Sequence, residues 1–360
     1  MSEALRLPLL EERRVSLETC GYCPKLCRAA CPVSNVEPRD TITPWGKMSI
    51  AWFVARGLSP VDAAHARVAW ACTGCHACRE LCDHRNTVAD TLYAARAEFL
   101  SAEVAPVESA EVVAKQPQRL AEAGQALSDL ARMPGVDDDA PTALLVGCAY
   151  LRHAPSEARD AVAAAAALAG PVRLVDGCCG APLLYAGDRA GFAAAKSGIR
   201  RAIAGSHAFL AVDPGCAVLL RDLGATTLVE IAARQLMRLR RADGFEDGGP
   251  LRWHDPCQLG RGLGVYDAPR AVLARALGRA PDEFSSRRER AACSGAGGLL
   301  PAIMPENSAA IADARLADHD RLGGGTVVTA CAASLRRLRS RGARVIDLHT
   351  VIRKSATPDG

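Results

Sequence analysis

Hydrophobic spacing divides the chain into two parts. In the first part, apolar residues recur at helical intervals. The stretch 48–55 predicts one helix, Ser59 followed by Pro60 predicts the start of a second, and 91–113 predicts a longer amphipathic helix. The segment 115–141 breaks this pattern with prolines, glycine and a run of acidic residues, and it predicts a linker.

After residue 142, short β-type runs alternate with helical stretches, which is typical of an α/β layer. The predicted strands are 143–146, 172–175, 209–212, 227–229, 326–328 and 345–348. This part also contains an internal repeat, because Asp213 precedes Ala225 by the same 12 positions that separate Cys331 from Ala343. We therefore expect two similar subdomains packed about an approximate two-fold axis.

The expected fold is a mixture of α+β and α/β architecture. A helical domain spans 1–114 and is followed by the linker 115–141. Two repeated α/β subdomains then cover 142–247 and 248–360.

Composition narrows the possible functions. The 360 residues are 49% hydrophobic but only 4% aromatic, which predicts cores built from Ala, Leu and Val. A net charge of +4, from 44 basic and 40 acidic residues, gives no reason to expect binding to nucleic acid or to an anionic membrane. No apolar run approaches the ~20 residues that span a bilayer, so membrane association is expected only through a partner.

The cysteine content points to a reducing compartment. The chain has 15 cysteines, and its first residues are charged and lack the apolar stretch of a signal peptide. Thiols in the cytoplasm stay reduced and remain able to hold metal. We therefore expect a cytoplasmic protein, peripheral to the inner membrane at most through a partner.

Eight cysteines form two dense groups near the N-terminus. The first group is Cys20, Cys23, Cys27 and Cys31, and the second is Cys72, Cys75, Cys78 and Cys82. Four thiols within about a dozen residues are typical of iron–sulfur cluster ligands. The second group has the bacterial ferredoxin spacing with Asp83 in place of the usual proline. The first keeps Pro32 but has one extra residue between its second and third cysteines.

In such paired groups, three neighbouring thiols hold one cluster and the fourth reaches the other. The predicted ligands of two 4Fe–4S clusters are Cys20, Cys23, Cys27 and Cys82 for cluster 1, and Cys72, Cys75, Cys78 and Cys31 for cluster 2. The helical domain 1–114 is therefore expected to be a two-cluster domain of ferredoxin-like type. Because these clusters carry single electrons, the pattern indicates electron transfer, and no catalytic residue is assigned. The alternatives are structural zinc, which usually joins two Cys pairs across an intervening stretch, and disulfides, which need an oxidising compartment.

The remaining seven cysteines follow a second pattern. A single Cys148 is followed after thirty positions by the adjacent pair Cys178-Cys179 and then by Asp213-x2-Cys216. This spacing resembles the cysteine-rich "CCG" domain. That family includes heterodisulfide reductase catalytic subunits and the iron–sulfur subunits of glycolate, lactate and glycerol-3-phosphate dehydrogenases. The stretches 254–261 and 293–298 look like a second copy, so the resemblance covers nearly the whole chain.

The chain departs from the family pattern of five cysteines per copy. Asp213 replaces one thiol in the first copy, while Ser294 and Ser334 replace two in the second. A carboxylate is already ionised and can bind iron, whereas an alcohol loses its proton far less readily than a thiol. The first copy can therefore still hold a further cluster, and the second has thiolates for only an incomplete or differently ligated site. The candidate ligands are Cys148, Cys178, Cys179, Asp213 and Cys216 in the first copy, and Cys257, Cys293 and Cys331 in the second.

Non-metal interpretations of these residues remain open. Free cysteines are often small buried hydrophobic residues, and Cys148 follows a strand-like run. His254 lies near Cys257 as a possible second ligand or hydrogen-bond donor, with a structural role as the default. The glycines Gly295, Gly297 and Gly298 lack the Walker and dinucleotide spacings, and we interpret them as allowing backbone to approach a metal site.

The resemblance implies an iron–sulfur electron-transfer subunit of a multisubunit oxidoreductase. Its partners would be a flavoprotein dehydrogenase that oxidises a 2-hydroxy acid and a soluble or membrane-bound electron acceptor. One alternative is a disulfide reductase whose first CCG copy holds the catalytic cluster. Another is a scaffold subunit whose CCG sites are degenerate.

Overall fold

The computed structural model of the protein describes residues 4–23, 25–245 and 249–356. These residues form two compact units, each assembled from separate stretches of chain. The first contains the residues up to Gln116 together with Pro182–Phe192 and Ala292–Arg315. The second contains Pro117–Ala181, Ala193–Ala291 and the residues from Leu316 onward.

Helices make up most of the ordered structure. In chain order, the α-helices are α1 (Arg14–Gly21), α2 (Pro32–Val36), α3 (Pro44–Ala55), α4 (Ala63–Trp70), α5 (Ala77–Glu80), α6 (Val88–Ser101), α7 (Val107–Ala114), α8 (Gln116–Leu130), α9 (Cys148–His153), α10 (Pro155–Ala169), α11 (Ala181–Ala186), α12 (Arg189–Ala202), α13 (Pro214–Leu219), α14 (Leu228–Arg234), α15 (Asp267–Leu277), α16 (Leu300–Ile303), α17 (Pro305–Arg321), α18 (Ala332–Arg339) and α19 (Leu348–Ser355). Helix α8 occupies much of the segment that the sequence predicts as a linker. Among the described helices, none has both the length and the apolar character needed to cross a membrane.

The first unit is helical and has one apolar core. Buried Leu, Val, Ala and Trp side chains from α1, α3, α4 and α6 pack together there, and Trp70 and Phe99 are among the largest. Helix α3 begins with Thr43, whose hydroxyl accepts a hydrogen bond from the Gly46 N–H at 3.0 Å, and Pro44 fits its first turn. This start positions α3 beside the cysteine groups.

Two helix predictions in this unit are wrong in detail. Helix α4 begins after Asp62, whose carboxylate accepts the His65 N–H at 2.9 Å, and not after Ser59. The single helix predicted over 91–113 is two helices, α6 and α7. The chain leaves α6 through Glu103 at φ 59, and Pro106 stands just before α7. Proline disfavours helical conformation in the residue before it, which explains the break.

The second unit contains two four-stranded parallel sheets. The strands are β1 (Thr142–Leu145), β2 (Val172–Leu174), β3 (Ala208–Ala211), β4 (Thr226–Thr227), β5 (Leu251–Trp253), β6 (Asp282–Glu283), β7 (Thr326–Thr329) and β8 (Val345–Asp347). The strand orders are β2-β1-β3-β4 and β6-β5-β7-β8, so corresponding strands occupy the same places in both sheets. A mixed fold of helices with small parallel sheets is confirmed.

Sequence patterns missed two strands of the second sheet. Strand β5 has Arg252 at its centre, and the buried guanidinium donates to the carbonyl oxygens of Leu322 and Gly324 at 2.7 and 2.9 Å. Strand β6 has only two residues, both acidic. In both strands tertiary contacts override a polar local sequence.

Candidate metal centres

Two cavities in the first unit are lined by the N-terminal cysteines. Cavity 1, with an empty volume of about 550 Å³, is bordered by Cys20, Cys23, Cys27 and Cys82. Cavity 2, with about 330 Å³, is bordered by Cys31, Cys72, Cys75 and Cys78. Cys78 also touches the edge of cavity 1. Each cavity therefore combines three neighbouring thiols of one group with the last thiol of the other.

A left-handed residue precedes the third cysteine in each group. Lys25 has φ 68 and leads into a short helical turn that carries Cys27, while His76 has φ 59 and leads into α5, which carries Cys78. In both groups the third cysteine follows this residue by two positions. The extra residue of the first group therefore lies before the turn and leaves the turn itself equivalent to that of the second group.

Neutral N–H donors border cavity 1. The Asn86 side-chain amide donates to Cys20 Sγ at 3.1 Å and to the Ser16 carbonyl at 2.7 Å. The indole N–H of Trp45, another lining residue, is buried and has no hydrogen-bond partner. A buried N–H without an acceptor is costly, so this donor fits a cavity that holds an acceptor-rich group such as sulfide and thiolate.

Burial and mutual repulsion disfavour bare thiolates in cavity 1. Burial raises the pKa of Cys20 to about 12, with further contributions from the neighbouring thiols of Cys27, Cys82 and Cys23. Burial also raises the pKa of Cys27. A bound metal reverses this balance because its positive charge deprotonates the thiols that ligate it. The crowded thiols are thus suited to metal and poorly suited to standing alone as anions.

A buried cation borders cavity 2. Lys47, on α3, is only 2% exposed, and its ammonium donates to Cys31 Sγ at 3.3 Å. Burial lowers the pKa of Lys47, but the nearby thiols of Cys31, Cys72 and Cys78 outweigh burial, and the net pKa is raised. An ammonium withdrawn from water requires an anionic partner. Lys47 therefore fits a cavity that holds negatively charged metal–thiolate groups.

Arg96 fixes the backbone on which Cys72 stands. The guanidinium is fully buried and stacks near Trp70, with its carbon 5.6 Å from the ring centroid. It donates to the carbonyl oxygens of Ala69, Cys72, Tyr185 and Gly298 at 2.9–3.2 Å. Three separate stretches of the first unit are thereby joined at the edge of cavity 2.

Two glycines allow close packing against the same loop. A Cβ on Gly297 would lie 2.3 Å from the Thr73 carbonyl oxygen, and one on Gly298 would lie 2.1 Å from that of Cys72. Gly298 also has φ 63, a conformation that favours glycine. The sequence suggested that these glycines bring backbone close to a metal site. The backbone they approach is the Cys72–Thr73 segment beside cavity 2.

The spacing of the thiols fits a group of several atoms. Within the described residues, no three His, Cys, Asp or Glu side chains converge closely enough to hold one metal ion. Structural zinc needs four ligands within about 2.3 Å of a single point. A cluster of iron and sulfide instead sits between its thiolates and keeps them apart, as the two cavities do.

The thiols of the first CCG copy lie past the carboxyl ends of β1, β2 and β3. Cys148 Sγ lies 3.7 Å from Cys178 Sγ, and Cys179 Sγ lies 3.2 Å from Cys216 Sγ. These cysteines pack against Ala, Val and Phe side chains of the first sheet. The contact with Cys178, followed by burial, raises the pKa of Cys148 well above its usual value. The copy thus presents two close thiol pairs in an apolar setting.

Asp213, predicted as a substitute ligand, caps a helix. One carboxylate oxygen accepts the Gly215 N–H at 2.8 Å at the start of α13, and the other accepts the Ala332 N–H at 3.3 Å. Burial raises its pKa even though these two backbone bonds lower it. Both oxygens therefore already have a structural role, and ligation by Asp213 stays a prediction.

The three cysteines of the second copy belong to different units. Cys257 and Cys331 lie in the second unit, after β5 and β7. Burial raises the pKa of Cys331, and Asp213 and Cys257 add to the shift. Cys293 lies in the first unit, with its Sγ 3.8 Å from Thr73 Oγ1. His254 is buried with its ring 6.2 Å from that of Phe284, in an edge-to-face contact.

A buried polar cluster in the second unit was not predicted from the sequence. Tyr150 donates to Asp347 at 2.7 Å, and His349 Nδ1 lies 2.6 Å from the same carboxylate. The other ring nitrogen of His349 is buried without a partner. Burial and the charge of Asp347 raise the pKa of Tyr150. Tyr150 lies 197 positions before Asp347, so no local sequence signal brings it together with Asp347 and His349.

Sequence reasoning also missed the polar residues around the two cavities. Lys47 could have been noticed as the one charged residue within the otherwise apolar helix α3. Asn86 and Arg96 give no comparable signal, since one follows a cysteine group and the other belongs to an ordinary amphipathic helix.

Two family models match the chain. The 4Fe-4S dicluster domain matches residues 16–86, which include both N-terminal cysteine groups. The cysteine-rich domain matches twice, at residues 142–221 and 251–335. These matches coincide with the helical cysteine region and with most of each sheet-containing repeat.

Curated relatives come from archaea and bacteria. One subunit of the dihydromethanophenazine:CoB–CoM heterodisulfide reductase of Methanosarcina barkeri is 36% identical over 88 residues, 24% of this chain and 22% of the relative. One subunit of the fumarate reductase (CoM/CoB) of Methanothermobacter marburgensis is 23% identical over 321 residues, 85% of this chain and 64% of the relative. A probable membrane-anchored ferredoxin of Chromohalobacter salexigens is 42% identical over 81 residues, 22% of this chain and 12% of the relative. The chain spans less than two thirds of each of these relatives.

Proposed function

Since the chain belongs to the CCG-domain iron–sulfur oxidoreductase subunits, we propose that it is the electron-transfer subunit of a multisubunit oxidoreductase. Iron–sulfur clusters supply one-electron transfer when bound. The polypeptide holds their ligands, excludes water from them and directs N–H groups at sulfur.

The proposed ligands divide the eight thiols between two 4Fe–4S clusters. Cys20, Cys23, Cys27 and Cys82 would hold the cluster in cavity 1, and Cys31, Cys72, Cys75 and Cys78 would hold the cluster in cavity 2. The single observation that supports this best is the composition of the cavities, each of which joins three thiols of one group to the last thiol of the other. Buried donors beside both cavities add support. The Trp45 N–H at cavity 1 needs an acceptor and the Lys47 ammonium at cavity 2 needs an anion, and cluster and thiolate sulfur would supply both.

The proposed partners are a flavoprotein dehydrogenase and a downstream electron acceptor. The relatives' names describe subunits of larger reductases, which supports a partner subunit. Family resemblance makes a 2-hydroxy acid the proposed substrate of that partner. The described cysteines form no disulfide, which suits a reducing cytoplasm, with any membrane contact made by the partner.

Iron content and co-purification test this proposal. Anaerobic purification from the native host should give about eight irons per chain from the two clusters alone, or about twelve if the first CCG copy holds another. Mass spectrometry should identify a flavoprotein in the same complex. A colourless protein, or one that contains zinc in place of iron, contradicts the proposal and leaves a scaffold role.

Disulfide reduction at the first CCG copy is the second candidate. The Sγ separations of 3.7 and 3.2 Å in its two thiol pairs favour it, as does the relative that belongs to a heterodisulfide reductase. We expect Cys179→Ala to lower the iron content if a cluster is bound there and to leave it unchanged otherwise. A change in the paramagnetic resonance spectrum when a disulfide is added would favour this candidate, and its absence would favour electron relay.

A further inference from the structure

We propose that Lys47, assisted by Arg96, makes the site in cavity 2 the more easily reduced of the two and thereby sets the direction of electron flow from cavity 1 to cavity 2. This inference rests on the proposed two-cluster function. It identifies Lys47 as a residue that determines the relative reduction potentials of the two sites. It also states which of the two sites accepts an electron more readily.

Lys47 brings a full positive charge to the thiols of cavity 2. Its ammonium lies 3.3 Å from Cys31 Sγ and is close enough to Cys72 and Cys78 to interact electrostatically with both. With 2% of its surface exposed, it is barely screened by solvent. Reduction adds one negative charge to a cluster, and a fixed cation beside it favours that change.

Arg96 adds a second buried charge on the same side. The guanidinium donates to the Cys72 carbonyl at 2.9 Å and interacts electrostatically with the Cys72 thiol. Its other bonds, to the carbonyl oxygens of Ala69, Tyr185 and Gly298, hold it in a single position. Because it cannot move away, its charge acts on cavity 2 in both redox states.

The charged residues near cavity 1 are arranged differently. Lys25, Arg28 and Arg85 lie next to its cysteines in the sequence, but their side chains are 36%, 52% and 62% exposed. Lys25 and Arg28 pair with Asp40, and Arg85 pairs with Glu80. Solvent and these carboxylates screen their charges. The buried donors at this cavity, Asn86 and Trp45, are neutral.

This contrast in buried charge determines which of the two sites has the higher reduction potential. Hydrogen bonds to sulfur and local net charge both tune cluster potentials. Cavity 1 has neutral donors, whereas cavity 2 has neutral donors such as the Gly74 N–H, 3.4 Å from Cys72 Sγ, together with two buried cations. Burial alone favours the less charged, oxidised state, and the cations offset this effect at cavity 2. The electron therefore rests preferentially at cavity 2.

Redox titration followed by paramagnetic resonance tests the proposal in the full chain. The two signals are assigned first with Cys20→Ala and Cys72→Ala, each of which should remove one cluster. The equilibrium constant for moving an electron from cavity 1 to cavity 2 is then compared in three variants. Lys47→Met removes the buried charge, Lys47→Arg keeps it, and Arg28→Met removes an exposed charge near cavity 1 as a matched control.

We expect Lys47→Met to lower this constant at least tenfold, which corresponds to about 59 mV for one electron. Arg28→Met should change it much less. An unchanged constant in Lys47→Met with eight irons bound overturns this inference but leaves the proposed function intact. A wild-type chain with fewer than eight irons instead overturns the proposed function, and this inference with it.

Loss of the cluster provides a second readout. If Lys47→Met loses only the iron of cavity 2 while Lys47→Arg retains it, the positive charge is required by that site and the inference stands. If both variants lose this iron, Lys47 acts through packing and the inference fails.

Discussion

The side-chain amide of Asn86 lies 3.1 Å from Sγ of Cys20, a residue 66 positions earlier in the chain. The same amide donates to the Ser16 carbonyl at 2.7 Å, so its orientation is fixed by two acceptors. Cys20 is the first thiol of cavity 1, and Asn86 follows the last, Cys82. One neutral side chain therefore bridges the two segments of chain that enclose this cavity.

Replacing Asn86 should lower the reduction potential at cavity 1. The amide hydrogen bond is stronger when the sulfur carries more negative charge, so its loss in Asn86→Ala disfavours the reduced state. If the bond is stronger in the reduced state by about 1 kcal/mol, its loss lowers the reduction potential by roughly 40 mV for one electron. Redox titration of the cavity 1 signal measures the shift. Asn35→Ala is the control, because Asn35 is exposed and donates to the Ala29 carbonyl. A potential unchanged in Asn86→Ala would contradict this role.

Adding a methyl group at Gly298 should displace the Cys72 loop. The new Cβ would lie 2.1 Å from the Cys72 carbonyl oxygen, so the backbone beside cavity 2 must move. We expect Gly298→Ala to lose about half of the iron bound by the N-terminal cysteines. Gly264→Ala is matched for backbone strain, because Gly264 has φ 79 but no atom within 4 Å of an added Cβ. Equal iron content in the two variants would argue against the close packing.

Replacing Arg96 by Met should destabilise the first unit. Four carbonyl oxygens lose a donor, and the loss of each of the two buried bonds, to Ala69 and Gly298, costs about 1–3 kcal/mol. We expect the free energy of unfolding to fall by roughly 3 kcal/mol or more, measured by urea denaturation under anaerobic conditions. Arg85→Met is the control, since Arg85 is 62% exposed and pairs only at the surface with Glu80. Comparable losses in both variants would contradict the structural role of Arg96.

The buried pair of Asp255 and Arg270 should dominate the acid sensitivity of the second unit. Asp255 is 3% exposed and accepts two bonds from Arg270, at 2.8 and 2.9 Å, and one from Trp253 at 2.9 Å. Burial raises the pKa of Asp255, but these bonds outweigh burial and the net pKa is lowered. A lowered pKa means that the stabilisation is fully present above the unfolded value, ~3.9, and is lost as pH falls below it.

We therefore expect Asp255→Asn to cost about 2 kcal/mol at pH 7, because Arg270 loses its charged hydrogen bonds to Asp255 and keeps its pair with Glu283. The difference from wild type should shrink as the pH is lowered below about 4. Thermal unfolding between pH 7 and about 2.5 checks both statements. Asp267→Asn is the control, since this carboxylate is 85% exposed and pairs with Arg288 at the surface. A pH-independent difference would show that shape, and not charge, is responsible.

The cysteine spacing indicated which thiols line each cavity, but it did not indicate the polar residues around them. Local spacing determines which thiols share a turn, and their role as cluster ligands stays a prediction. Lys47 stands out only as the one charged residue of α3, whereas Arg96 acts through burial, which depends on how distant helices pack and leaves little trace in local sequence. Strand β5 was missed for the same reason, since its central Arg252 is neutralised by tertiary carbonyl contacts. Strand β7 consists entirely of β-branched threonine and valine residues, and the sequence predicted it.

The contact between Arg96 and Gly298 joins positions 202 residues apart, and Gly297 and Gly298 press on the loop that carries Cys72. During synthesis, the cysteines therefore leave the ribosome long before the segment that braces them. We therefore expect stable metallation of cavity 2 only after the segment around Gly298 has been translated. A fragment ending at Gln116 would carry every proposed ligand of both clusters. It would still lack Gly297 and Gly298, which pack against the Cys72 loop beside cavity 2.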